Sequence, residues 1–159
     1  MYSALPFLLT YLFLSGRLWV TDLRTGFLPD RLTCPLLWSG LIYHQLFLPA
    51  RLPDALWGAV AGYVLFALLY WGYRLARRQE GLGYGDVKFL AALGAWHEWQ
   101  SLPMLVFIAA FLACAAVGMD LFRDGKAVLK NPLPFGPYMA AAGFIMGWET
   151  LMPIVSLRL

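Results

Sequence analysis

The sequence predicts an all-α membrane protein, a polytopic bundle of about six transmembrane helices, and three observations carry that prediction. Of 159 residues, 61% are hydrophobic and only 13% are charged, with a mean hydropathy of +0.66. A soluble domain is about 25% charged, so this chain cannot clothe a soluble surface. Long uncharged runs recur from one end to the other, and the basic residues between them fall mostly on one side.

Taken in order, residues 1–16, 32–50, 55–73, 103–119 and 132–148 contain no Asp, Glu, Lys or Arg. With a few flanking residues, each reaches the length of about 20 that a helix needs to cross roughly 30 Å of hydrocarbon. The first run has no basic n-region and no convincing small-x-small site after Val20, so it reads as a span rather than a signal peptide. A sixth run, 89–97, is too short alone. Extended from Asp86 to about Ser101, it predicts a short fourth helix entered through a glycine-rich turn. The whole of 1–159 then reads as a single membrane domain.

Six crossings place Arg17, Arg24, Arg31, Arg74, Arg77, Arg78, Lys88, Arg123, Lys126 and Lys130 on one side, and only Arg51 and Arg158 on the other. The positive-inside rule makes the first side cytoplasmic and puts both termini outside. Leaving out the short fourth span spoils this asymmetry. Small residues in 58–62 and 140–143 predict close helix packing. Trp19, Trp57, Trp71, Tyr73, Trp96, Trp99 and Trp148 read as an interfacial aromatic belt.

Several functions are disfavoured. The net charge of +3 and pI near 9.0 do not argue for nucleic acid, because the basic residues are spread over short loops. Cys34 and Cys114 lie in apolar segments and form no CxxC pair, so neither a zinc site nor a disulfide framework is expected. No set of three convergent metal ligands is visible, and no cofactor is expected. His44 and His97 read as interfacial residues on the outer side. Asp30, Asp54, Glu80, Glu98 and Glu149 read as helix ends or loops without a special role, and Asp120 and Asp124 as parts of a solvated loop.

Two carboxylates stand apart. Asp22 ends an apolar segment, and Asp86 sits in Gly83-Tyr84-Gly85-Asp86, where the chain re-enters an apolar run. Both fall on the predicted cytoplasmic side. Ionisable groups at membrane depth are costly and mark functional sites by default. Peptide hydrolysis by carboxylates needs two of them sharing one proton, one activating water and the other polarising the scissile carbonyl. Gly83 and Gly85 allow close backbone approach just before a helix, as an extended substrate requires. The bland alternatives are a loop with an N-capping Asp86 and an ion pair between Asp22 and Arg24.

The segment from Gly81 to Trp96, with Gly83-Tyr84-Gly85-Asp86-Val87-Lys88 at its centre, resembles the signature of the type IV prepilin leader peptidases, the GxGD-type intramembrane aspartyl proteases. Asp22, followed seven residues later by Pro29, is similar to that family's first aspartate motif. Pro134-Phe135-Gly136-Pro137 resembles its third, which opens the last helix. The resemblance implies an enzyme of the bacterial inner membrane that cuts the leader of a prepilin or pseudopilin at the cytoplasmic face. Its substrate would present a basic leader and a hydrophobic N-terminal helix, and its other partner would be the bilayer; pairing with further copies of itself stays open.

Carried over, Asp22 and Asp86 become the catalytic pair, Gly83 and Gly85 shape the approach to Asp86, and Pro134, Phe135, Gly136 and Pro137 form a candidate wall. Lys88 would meet an acidic substrate group or anchor the helix at lipid headgroups. Two departures stand out. The N-terminal extension with two CxxC pairs found in larger members, and associated with N-methyltransferase activity, is absent, so methylation is not implied. His97-Glu98-Trp99 stands where a glycine is common, which is expected to alter the outer loop alone. Rival readings are a proton-coupled transporter and a catalytically idle membrane scaffold. The transporter predicts polar groups through the spans, whose centres are here almost wholly apolar.

Overall fold

The computed structural model describes residues 4–77, 83–124 and 134–156. Its helices are α1 (Leu5–Thr25), α2 (Asp30–Phe47), α3 (Leu52–Arg77), α4 (Tyr84–Asp124) and α5 (Gly136–Ser156), with a 3-10 turn at Pro49–Arg51 before α3 and no strand among the described residues. Arg78, Glu80, Gly81, Lys126, Lys130 and Arg158 lie outside the described residues.

Among the described residues the helix count is five rather than six. The expected fourth and fifth segments run on as one element, α4, in which Glu98 alone leaves helical geometry (φ 64°, ψ 163°). No loop separates them, which is why a boundary placed near Ser101 finds nothing to mark it. The break nevertheless turns the chain. At 1.5 Å per residue a straight helix of 41 residues would be roughly 60 Å long. Yet Asp86 at its start interacts electrostatically with Asp22, while Asp120 near its end acts on Tyr138. Tyr138 follows closely on Gly136, whose N–H is bonded to Asp22. Both ends of α4 therefore return to one end of the bundle.

Helix boundaries also differ from the uncharged runs. α1 passes through Arg17 and Asp22 to Thr25. Arg17 lies on an exposed face of α1, where a long basic side chain can keep its head out of the apolar region.

Glycines let α3 and the first arm of α4 touch backbone to backbone. Gly58 packs against Gly94, and a methyl on Gly62 would lie 2.8 Å from the Leu90 carbonyl oxygen. α5 approaches closely too: a methyl on Gly143 would lie 2.7 Å from Tyr11 Oη. The core holds Leu18, Leu36, Phe89, Leu90, Leu93, Leu105 and Met139. Large apolar side chains also cover the outside, including Phe13, Leu68, Phe107 and Phe111, while Asp22, His44 and Asp86 are buried. A surface of this kind suits lipid rather than water as solvent. Among the described residues, Pro49–Ala76 and Tyr84–Leu121 are long and apolar enough to cross a membrane.

At the end of the bundle far from Asp22, polar side chains surround the break in α4. His44 is buried, donates from Nδ1 to the Gly40 carbonyl (2.9 Å) and faces Glu98 across 3.5 Å. Arg51 reaches the same Glu98 oxygen at 3.5 Å, and Trp99 donates to Asp54 at 3.0 Å. Tyr11 Oη lies 2.9 Å from His97 Nε2. His44, expected at the outer interface, and Glu98 and Asp54, expected at helix ends or loops without a special role, thus tie α2 and the start of α3 to the turn in α4. Trp96, expected in an interfacial belt, instead stacks on Tyr43 (centroids 5.4 Å apart) and donates to the Leu36 carbonyl at 2.8 Å.

Candidate active site

Asp22 lies in the last turn of α1. Gly26 ends that helix in the left-handed conformation (φ 62°), its N–H donating to the Asp22 carbonyl at 2.8 Å. A glycine takes this helix-ending conformation without the cost a side chain would add. The chain then runs without regular structure through Phe27 and Leu28 to Pro29, whose extended backbone precedes α2.

This short stretch explains the spacing of the first motif. Leu28 is buried and lies against Gly85: a methyl there would sit 2.8 Å from Leu28 Cβ and 3.3 Å from its backbone nitrogen and oxygen. Gly85 is required by close approach to the turn below Asp22. One residue past Pro29, Asp30 accepts from Lys88 Nζ through both carboxylate oxygens, at 2.7 and 2.8 Å. The Asp22 segment and the Asp86 segment are thus stitched together at 28–85 and 30–88.

Asp86 sits in the first turn of α4 and is buried. Its N–H donates to the Gly83 carbonyl at 3.0 Å, so Gly83 shapes the turn that launches the helix. Oδ1 of Asp86 is buried without a hydrogen-bond partner among the described residues. Such an oxygen is an unusual thing to leave unsatisfied inside a protein and calls for an explanation. Asp22, also buried and on a different helix, acts on it electrostatically.

The third motif completes Asp22. The N–H of Gly136, the first residue of α5, donates to Asp22 Oδ2 at 2.9 Å. A methyl on Gly136 would lie 2.6 Å from that oxygen, so only glycine lets the helix start come so near. The start of a helix is the favourable end for a carboxylate. Phe135 accepts at its carbonyl from the N–H groups of Tyr138 and Met139, and its ring faces Phe66 of α3 at 6.1 Å. Pro134 and Pro137 flank these contacts, Pro137 buried and Pro134 half-buried. The structure therefore brings together Asp22, Asp86, Gly83, Gly85 and the Pro134–Pro137 turn.

Lys88, expected at substrate or headgroups, has its ammonium on Asp30 and lies 5.3 Å from the Tyr84 ring centroid. Asp30 is what the sequence reading passed over. The signal was its place directly after Pro29, with opposite charge to Lys88 on the same predicted side. Among the described residues no group of three His, Cys, Asp or Glu side chains converges as a metal site would.

A model of the type IV leader peptidase family matches residues 6–119. The chain belongs to that family. The match takes in both aspartates of this peptidase and their glycines, and stops short of Gly136. The chain is 65% identical over 153 residues to the leader peptidase HopD of Salmonella typhimurium, covering 96% of this chain and 99% of that one. It is 61% identical over 150 residues to the leader peptidase HopD of Escherichia coli, covering 94% and 97%. A prepilin leader peptidase/N-methyltransferase of Burkholderia pseudomallei is 51% identical over 122 residues, or 77% of this chain but 39% of the longer relative. No solved structure matches significantly.

Proposed function

We propose that this peptidase cuts the leader from type IV prepilins or pseudopilins, with Asp22 and Asp86 as its catalytic pair. One observation carries the reading: two buried carboxylates, on α1 and α4, are brought to one place by the Gly85–Leu28 contact and the Lys88–Asp30 pair, inside a bundle whose outer surface is apolar. Two carboxylates so placed cannot both ionise cheaply and share a proton. The ionised member takes a proton from water as its oxygen attacks the scissile carbonyl carbon. The protonated member hydrogen-bonds the carbonyl oxygen, and the member that took the water's proton gives it to the departing amine as the C–N bond breaks. The unpartnered Oδ1 of Asp86 is available to water or to that carbonyl, whereas one oxygen of Asp22 is held by Gly136. The names of the relatives support the substrate class.

The fold-back of α4 at Glu98 supports six crossings of a bacterial inner membrane, its two arms counting as two spans. With the basic residues assigned inward, the aspartates face the cytoplasm and both termini lie outside. The substrate's hydrophobic helix packs against the spans while its basic leader stays in the cytoplasm.

The test is a tagged prepilin co-expressed with wild type, Asp22→Asn or Asp86→Asn. The expected result is a size shift with wild type alone, at equal membrane abundance. Cleavage by either variant overturns the assigned pair.

A further inference from the structure

We infer that Asp30 and Lys88 form a positioning clamp that sets the distance between the two aspartates. The inference rests on the proposed catalytic pair. It starts from how the Asp86 side chain is held. Oδ1 is buried without a partner among the described residues, while the carboxylate takes a backbone hydrogen bond from Gly83 and the N–H of Asp86 donates back to the Gly83 carbonyl. These contacts are all local to one turn, so the place of the carboxylate relative to Asp22 is set by the residues on either side of it.

Both sides of Asp86 are fixed by one segment. Before it, Gly85 lies against Leu28. After it, Lys88 reaches Asp30 with an ammonium shared between two carboxylate oxygens at 2.7 and 2.8 Å. Leu28 and Asp30 flank Pro29 and hang directly below Asp22, whose helix ends at Gly26. Movement of the Lys88–Asp30 contact therefore changes the relation of Asp86 to Asp22. The packing of Leu28 alone leaves a hinge at one point; a second fastening 58 residues apart in sequence removes the rotation about it. Tyr84 extends the clamp to α3, since its ring lies under Lys88 Nζ and its hydroxyl is hydrogen-bonded to that of Tyr63.

An exposed ion pair contributes little to stability, and Asp30 and Lys88 are partly exposed, at 57% and 33%. Its effect belongs in the geometry of the reacting groups, where a misplacement of about 1 Å can cost on the order of 100-fold in rate. As Asp30 also starts α2, it favours that helix end. Asp30→Asn removes that favourable charge together with the pair, whereas Lys88→Met removes the pair and leaves the charge in place.

The test is single-turnover and steady-state cleavage of a purified prepilin by the full chain in proteoliposomes. The variants are Asp30→Asn, Lys88→Met and the exchanged pair Asp30→Lys/Lys88→Asp, with thermal unfolding measured on each. Each single variant is expected to lower kcat about 10-fold or more with KM within about 2-fold, and the exchanged pair to recover most of the loss. Wild-type kcat in both single variants overturns the clamp. So does a raised KM at unchanged kcat in Lys88→Met with no recovery in the exchanged pair, which places Lys88 on the substrate. Should a single variant fail to fold, cleavage by the exchanged pair decides: wild-type-like kcat supports the clamp, and a folded but inactive pair overturns it. Wild type that cuts no prepilin instead overturns the substrate reading on which the inference rests.

Discussion

Replacing Gly85 by alanine separates two effects that have opposite signs. Gly85 is the second residue of α4, and alanine is favoured over glycine in a helix by up to about 1 kcal/mol, less in the first turn than in the interior. Propensity alone thus makes Gly85→Ala neutral to stabilising. The added methyl, however, lies 2.8 Å from Leu28 Cβ and 3.3 Å from the Leu28 backbone. Carbon atoms rest at roughly 3.5–4.0 Å, so the turn below Asp22 and the start of α4 must part by about 1 Å. Leu28 is buried, and its backbone cannot swing aside as a side-chain tip can. A shift of about 1 Å between reacting groups costs on the order of 100-fold in rate. Overpacking at such a contact costs about 1–3 kcal/mol, which outweighs the propensity gain, so the expected outcome is a prepilin cleavage rate down by about 100-fold with a lower unfolding temperature. Cleavage in proteoliposomes and thermal unfolding in detergent, read on the same preparation, check it. Near-wild-type cleavage at an unchanged unfolding temperature would refute the close approach as a determinant of the site.

At the opposite end, Glu98→Gly and Glu98→Ala both remove the carboxylate facing Arg51 and His44, but only glycine relaxes φ 64°, ψ 163°. That region is essentially a glycine conformation costing other residues about 1–3 kcal/mol, so Glu98→Gly should unfold at higher temperature than Glu98→Ala; the reverse order would dismiss the strain. Gly94→Ala drives a methyl into the Gly58 carbonyl where α3 and α4 meet. Overpacking of this kind costs about 1–3 kcal/mol, read as a lower unfolding temperature, and an unchanged temperature would show that these helices are not locked there.

Both aspartates were legible because a charge in an apolar run is conspicuous, and Gly83 and Gly85 marked the turn before the second. Helix ends were less so. The run 1–16 closes at Arg17, yet α1 continues to Thr25 because an arginine on an outward face breaks no helical hydrogen bond. The continuity of α4 was hidden for a related reason: its turn is a single residue, and a glutamate at positive φ has no local sequence signature. The expected change in the outer loop at His97–Trp99 pointed to the place without its geometry. Contacts across long separations, such as Asp30 with Lys88 and Gly136 with Asp22, lie 58 and 114 residues apart, beyond any periodic pattern.

That last contact has a consequence for the life of a newly made chain. Translation delivers Asp22 well before Gly136, which lies 114 residues later, and chains acquire structure from the N-terminus forward. While the ribosome is still working, Asp22 lacks the N–H that holds it in the finished protein. A chain that has not yet added α5 therefore carries both carboxylates while Asp22 still lacks the bond that the start of that helix supplies.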